Sequence, residues 1–255
     1  MGAAIEIKLS VNLNKVALLR NQRDVGYPSV LDAARMVVAA GAHGITVHPR
    51  PDERHIRRTD VHELADLIAA EFAPSVEFNI EGNPTPEFID LIREVRPTQV
   101  TLVPDSPDQR TSDHGWDLQH PGALFSLVRE LKTTGARISL FVDPEPGTVA
   151  TAATVGADRV ELYTGPYAEA FSTVDAAIMT RRYAETAAAA AAAGLGINAG
   201  HDLNLDNLPA FCQAVPSLAE VSIGHAITAD ALRLGFPAAV EAYLRAIDRS
   251  GLAAA

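Results

Sequence analysis

Apolar positions along the chain recur in two alternating rhythms. Stretches with helical spacing run into a glycine, often followed by alanine, and a short β-branched segment comes soon after. Ala40-Gly41-Ala42 leads into Gly44-Ile45-Thr46-Val47, and Gly135-Ala136 into Ile138-Ser139-Leu140-Phe141-Val142. Gly156-Ala157 leads into Val160-Glu161-Leu162-Tyr163, and Gly194 into Gly196-Ile197-Asn198-Ala199. A glycine at that point supplies the left-handed residue that ends a helix, and a strand close behind it makes the αβ turn of a parallel sheet. Adding the segments without that glycine predicts strands at 6–11, 44–48, 75–80, 99–103, 138–142, 159–163, 196–199 and 220–223. Helical patterns at 29–40, 60–72, 86–95, 122–133 and 175–193 separate them. The alanine run at 187–193 is of low complexity, but alanine is the strongest helix former, so it reads as helix.

Strict alternation with eight strands predicts an α/β fold: a single (β/α)8 TIM-barrel domain over 1–255. Eight is the number that closes with a filled interior, and a doubly wound open sheet is the rival architecture. Three insertions break the regularity. Residues 13–27 follow the first strand and contain Val16-Ala17-Leu18-Leu19, read as an extra helix. Residues 165–171 follow the sixth strand and place another extra helix ahead of the alanine-rich one. Residues 105–119 follow the fourth strand and are long, polar and proline-containing, a lid candidate. All three lie after strand C-termini, the face on which barrel enzymes build their sites.

Composition narrows the partners. A formal net charge of −11 argues against nucleic acid or an anionic membrane, which are bound by basic surfaces, but not against small phosphorylated ligands. Cys212 is the sole cysteine, so no intrachain disulfide or cysteine-based zinc cluster forms, and cytoplasm is the expected compartment. The first ten residues show neither a basic n-region nor an apolar h-region, and no apolar run is long enough for a transmembrane helix.

Candidate chemistry collects at the strand ends. The first strand delivers Asn12; the second ends in His48, with Arg50 and His55 following; the third delivers Glu81. The fifth runs into Asp143 and the sixth into Thr164-Gly165. The seventh ends in Asn198-Ala199-Gly200-His201 and the eighth in Gly224-His225. Each residue alone has a plain structural reading: a histidine at a solvent edge, Glu81 as a helix cap, Arg50 as a surface ion-pair partner, glycines as tight turns. Their joint occurrence on one face is hard to explain structurally and points to a functional site. The Gly-His pairs after strands seven and eight suit a phosphate, because exposed N–H groups at a helix N-terminus favour anions. Cys212 reads as packing, and His43, His62 and His120 as surface residues.

With these residues in place, the sequence resembles the pyridoxine 5′-phosphate synthase family over nearly its whole length. The resemblance is carried by Val11-Asn12, Leu19-Arg20-Asn21 with Arg23, Gly44-Ile45-Thr46-Val47-His48 with Arg50, and Arg54-His55-Ile56. It continues through Asn79-Ile80-Glu81, Leu102-Val103-Pro104, Thr164-Gly165, Asn198-Ala199-Gly200-His201 and Ile223-Gly224-His225-Ala226. The resemblance implies a barrel with extra helices, assembled as a homo-octamer of dimers, that uses no metal and no organic cofactor. It implies joining of 3-amino-2-oxopropyl phosphate to 1-deoxy-D-xylulose 5-phosphate, with loss of phosphate and water. Residue by residue, it makes His48 and Glu81 proton acceptors and His201 the proton donor. Asn12, Arg23, Arg50, His55 and Thr111 match substrate-binding positions, and Gly224-His225 a phosphate-binding pair.

Three positions depart from the family pattern. Asn14-Lys15 stands where an Asp-His pair is expected, and Asp202 where a glycine is expected. Asn14, Lys15 and Asp202 are carried as substrate-binding positions with altered contacts, Lys15 as a fixed cation for a phosphorylated substrate. Two other enzyme classes use similar residues. A metal-dependent sugar-phosphate isomerase would recruit His48, Glu81, Asp143 and His201 as ligands, and a Schiff-base aldolase would need Lys15 or Lys8. A non-catalytic barrel that binds a phosphorylated vitamer is the remaining alternative.

Overall fold

The expected strands form, and each lies beside the next. The computed structural model describes residues 6–248 apart from 24, 107, 108 and 110. The strands are β1 (Lys8–Asn12), β2 (Gly44–Val47), β3 (Glu77–Gly82), β4 (Gln99–Leu102), β5 (Arg137–Val142), β6 (Arg159–Leu162), β7 (Gly196–Gly200) and β8 (Leu218–Ile223). All pairings are parallel, and β8 returns to pair with β1, so the sheet closes in sequence order and the open-sheet rival falls.

Helices fill the connections. They are α1 (Asn14–Arg20), α2 (Val30–Ala39), α3 (Arg58–Leu67), α4 (Pro86–Val95), α5 (Leu124–Lys132) and α6 (Thr151–Thr154). After these come α7 (Gly165–Ala170), α8 (Ala176–Ala192), α9 (Leu208–Ala214), α10 (His225–Leu234) and α11 (Phe236–Ile247). The extra helices expected after strands one and six are α1 and α7. Among the described residues, no helix is long and apolar enough to cross a membrane.

Local chemistry accounts for the helix boundaries. The Thr85 hydroxyl accepts from the Phe88 N–H at 3.3 Å, Pro86 pre-sets the first turn of α4, and Arg96 ends it at φ +51°. In α8 the small alanines pack closely around Tyr183, Thr186, Ala187 and Ala190, which are buried, and Gly194 at φ +82° follows the end. Two boundaries differ from the pattern. The stretch read as one helix over 60–72 is α3 followed by a wider π-helical turn at Ile68–Phe72. The helix expected from 122 starts at Leu124, because Gly122 takes φ +38°. A final helix, α11, has no counterpart in the sequence reading. It packs on α2 and β1 and buries Val240 and Tyr243.

The strands separate two environments. Leu9, Val11, Ile45, Val47, Ile80, Val100, Leu102, Ile138, Leu140, Val160, Leu162, Ile197, Val221 and Ile223 alternate onto the outer face, where the helices cover them. Each such burial stabilises the fold by about 1.5–3 kcal/mol. Barrel interiors are usually filled by branched aliphatic residues as well. Here the inner face is polar, and hydrogen bonds cross it: Asn12 Nδ2 to Glu81 at 3.4 Å, the Thr101 hydroxyl to Glu161 at 3.5 Å, and Gln99 Nε2 to Glu220 at 3.4 Å. Arg159 closes the lower end, donating to Asn198 at 2.8 Å and to Glu220 at 3.0 Å. His43, expected on the surface, is half-buried instead. Its Nδ1 accepts from the Leu9 N–H at 3.2 Å, at the N-terminal end of the barrel.

Candidate active site

The polar interior opens upward onto His48 and Glu81. Asn14 shapes this corner: its N–H donates to Asn12 Oδ1 and its own Oδ1 accepts the His48 N–H, both at 2.9 Å. Asn14 therefore braces the end of β2 through its Oδ1. His48 Nδ1 stands 3.8 Å from Glu81 Oε2, beyond hydrogen-bond length but close enough for charge to be felt. Burial holds the His48 pKa well below the ordinary imidazole value, with Arg50 and His55 adding to the effect. Burial drives Glu81 the other way, well above the usual carboxyl range, helped by Glu161 and Asp105. Burial thus favours a neutral imidazole facing a protonated acid.

Arg50 is buried beneath the β4–α5 loop. It forms an ion pair with Asp105, and its Nη1 donates to the Gln109 carbonyl at 2.8 Å. The Ser112 hydroxyl also donates to Asp105, at 2.7 Å, so one carboxylate ties the arginine to the loop. A cavity of about 370 Å³ flanks this pair, lined by His48, Arg50, Asn83, Phe88 and Asp105 among others.

His55 lies 6.3 Å from His48, ring centre to ring centre. Its Nδ1 accepts from the Ile56 N–H at 2.9 Å, which assigns the ring proton of the neutral form to Nε2. Burial, then Arg50 and Lys15, push its pKa down to about 4. His55 is thus a neutral N–H donor near neutrality, because it is buried and sits beside cations.

Lys15, half-buried at the second position of α1, is near enough to His55 to depress it. Arg23 lies exposed past the end of α1.

On the opposite flank, His201 follows β7. Its Nε2 is 2.7 Å from Thr111 Oγ1 of the loop, and its Nδ1 is 2.7 Å from Asp202 Oδ2. Asp202, carried as a substrate-binding position, turns its carboxylate onto the histidine. Two glycines permit close approach here. A Cβ on Gly200 would stand 2.0 Å from the Ser222 carbonyl oxygen, and one on Gly224 3.0 Å from Asn12 Cβ. Gly224 precedes α10, whose first residue, His225, is exposed.

The metal set imagined at strand ends is not gathered. Among the described residues no three His, Cys, Asp or Glu side chains converge as ligands, and Asp143 accepts the Gly115 N–H at 3.0 Å instead. Lys132 pairs with Asp158 on the outer surface, and Lys8 lies at the opposite end of the barrel beside Glu77.

Sequence reasoning passed over Glu161, Asp105 and Tyr163. Glu161 is buried, and burial together with Glu220 pushes its pKa up to about 8. Its inward position in β6 was legible from the alternation, which places a carboxylate opposite Val160 and Leu162. Nothing local marked Asp105 as the partner of Arg50.

Acid–base groups of opposite bias at the C-terminal mouth of a (β/α)8 barrel, with buried cations beside them, define an enzyme site. A family model, "Pyridoxal phosphate biosynthesis protein PdxJ", matches residues 9–249. The chain belongs to the PdxJ family. A pyridoxine 5′-phosphate synthase of Albidiferax ferrireducens is 57% identical over 246 residues, covering 94% of this chain and 97% of that one. That of Brucella anthropi is 54% identical over 244 residues, covering 94% and 98%. Two solved structures are similar in fold alone. A Mycobacterium tuberculosis tryptophan synthase superposes with a TM-score of 0.63 at 12% identity, covering 95% of this chain and 94% of that one. An Amycolatopsis orientalis BexX/CysO complex gives 0.63 at 15% identity, covering 100% and 93%.

Proposed function

We propose that this enzyme is a pyridoxine 5′-phosphate synthase. It condenses 3-amino-2-oxopropyl phosphate with 1-deoxy-D-xylulose 5-phosphate and releases phosphate and water as the pyridine ring closes. The observation that carries the reading is the opposed bias of His48 and Glu81 across 3.8 Å, with His201 on the facing flank of the same mouth.

Imine formation, dehydration and ring closure are successive proton transfers, and each needs a group that already holds or lacks a proton. His48 starts as an acceptor, since burial keeps its ring neutral. Glu81 also accepts, but only after a first donation, because burial favours its protonated form. His201 is the proton donor once its ring has taken up a second proton. Arg50 and Lys15 supply charge for phosphate, while His55, Asn12 and Thr111 supply neutral hydrogen bonds. Gly224 and His225 offer backbone N–H groups at the start of α10 to the second phosphate. Arg23 belongs to the set by family pattern alone. The octamer of dimers is part of the same reading, and light scattering tests it.

The direct test is incubation of the purified chain with both substrates, following a pyridine chromophore and released phosphate. Absence of both products from folded protein overturns the reading. Activity that survives chelator, with no lysine trapped by borohydride, separates it from the isomerase and aldolase alternatives.

A further inference from the structure

The turn that carries His201 is held from several sides. His201 takes φ +39°, a left-handed conformation that side-chain-bearing residues seldom adopt. The Thr164 hydroxyl donates to the Gly200 carbonyl at 2.5 Å, and its oxygen accepts the Asp202 N–H at 3.4 Å. Asn207 Nδ2 donates to the Asp202 carbonyl at 3.3 Å. At Gly200 a side chain would meet the Ser222 carbonyl, so only glycine fits beside this turn. Strain of this kind persists only where surrounding contacts over-determine it, and it clusters at functional sites.

The imidazole is fixed as firmly as its backbone. Asp202 Oδ2 faces Nδ1 and Thr111 Oγ1 faces Nε2, each at 2.7 Å. Tyr163 meets the ring edge-on, with centres 6.0 Å apart and planes at 73°. An ionised carboxylate only accepts hydrogen bonds, so the nitrogen facing Asp202 must carry a proton.

We propose that Asp202 is a positioning residue: its carboxylate accepts the Nδ1 proton of His201, fixes that tautomer and ring orientation, and leaves Nε2 as the nitrogen that exchanges protons with substrate. A proton taken up at Nε2 is then balanced by the carboxylate on the other side of the ring, the arrangement of an Asp-His dyad. A direct phosphate contact is excluded for the same carboxylate, since it would set like charges against each other. The side chains remain partly solvated, 32% exposed for His201 and 41% for Asp202, so the dyad stays open to substrate. The inference rests on the acid–base role proposed above for His201, but the tautomer exists without substrate and is measured without it.

The experiment is nitrogen NMR of the full chain labelled with ¹⁵N-histidine, with His201 assigned through His201→Asn. The parent should show a protonated Nδ1 and an unprotonated Nε2. Asp202→Ala should move the proton toward Nε2 and lower kcat about 10²-fold, with KM changed less than about threefold. Asp202→Glu should restore part of both, which a merely structural role would not do. A parent with its proton on Nε2 overturns the proposal, as does an unchanged tautomer and kcat in Asp202→Ala. A rise in KM alone overturns it too, because it makes Asp202 a substrate contact. If the parent forms no pyridine product, the functional reading fails, and the NMR result alone decides the dyad.

Discussion

His48 Nδ1 and Glu81 Oε2 stand 3.8 Å apart, and burial shifts their proton affinities in opposite directions. Two groups that would form an ion pair in water are kept uncharged in the barrel mouth. An uncharged pair of base and acid has both functions available before substrate arrives.

Replacing His48 and Glu81 with Gln, and His201 with Asn, should each lower kcat by roughly 10²–10⁴-fold. Circular dichroism and thermal melts should stay near the parent's. Turnover close to normal in the His48 and Glu81 variants would remove both from the chemistry.

Glu161 adds a pH signature to stability. Burial raises its folded pKa to about 8 from the ordinary carboxyl value of 4.5, so the folded state binds the extra proton. Stability from this group is therefore complete below about pH 4.5 and declines as pH rises toward 8. Glu161→Gln keeps the shape without the titration. Relative to the parent, it should gain about 1–3 kcal/mol between pH 5 and pH 8 in urea denaturation. Parallel pH profiles would show that Glu161 is not protonated in the fold.

His55 works in the opposite sense. Its folded pKa, about 4, lies below the ordinary imidazole value of 6.5, so its contribution is present above pH 6.5 and lost as pH falls toward 4. Proton NMR of the ring should find it neutral at pH 6. A midpoint near 6.5 would place it outside the buried cation cluster.

Lys15 should serve binding more than proton transfer. Opposite charges at a partly solvated site attract by roughly 1–4 kcal/mol before desolvation, depending on the effective dielectric. Lys15→Ala is expected to raise KM for one phosphorylated substrate about tenfold and to weaken its salt dependence, with a smaller change in kcat. Steady-state kinetics at two salt concentrations check this, and an unchanged KM for both substrates puts Lys15 outside the site.

Gly200→Ala should be damaging for a steric reason. The new methyl would sit 2.0 Å from a backbone oxygen of β8, which no side-chain rotation relieves. A loss of roughly 1–3 kcal/mol in stability is expected, together with displacement of the His201 turn. A melt unchanged from the parent's would mean that the two strand ends separate easily.

The element order was legible because it is written in local signals. A glycine after a helical stretch, as at Gly135, Gly156 and Gly194, acts on its own backbone, and alternation acts between neighbours two residues apart. Strand ends carrying His48, Glu81, His201 and Gly224 followed directly, since closure of eight parallel strands brings all their C-termini to one rim. The π-helical turn at Ile68–Phe72 and the helix α11 left no comparable mark.

Only tertiary structure decided the chemical state of those residues. His55 is neutral because the fold buries it and brings Lys15, distant in sequence, near it alongside Arg50. Glu161 keeps a proton because closure puts Glu220 of β8 near it inside a dry interior. Asp105 finds Arg50, and Thr111 finds His201, through a loop whose course no local pattern specifies. Charge interactions depend on distance in space and on access to water, and both are set when the barrel closes rather than by the spacing of residues along the chain.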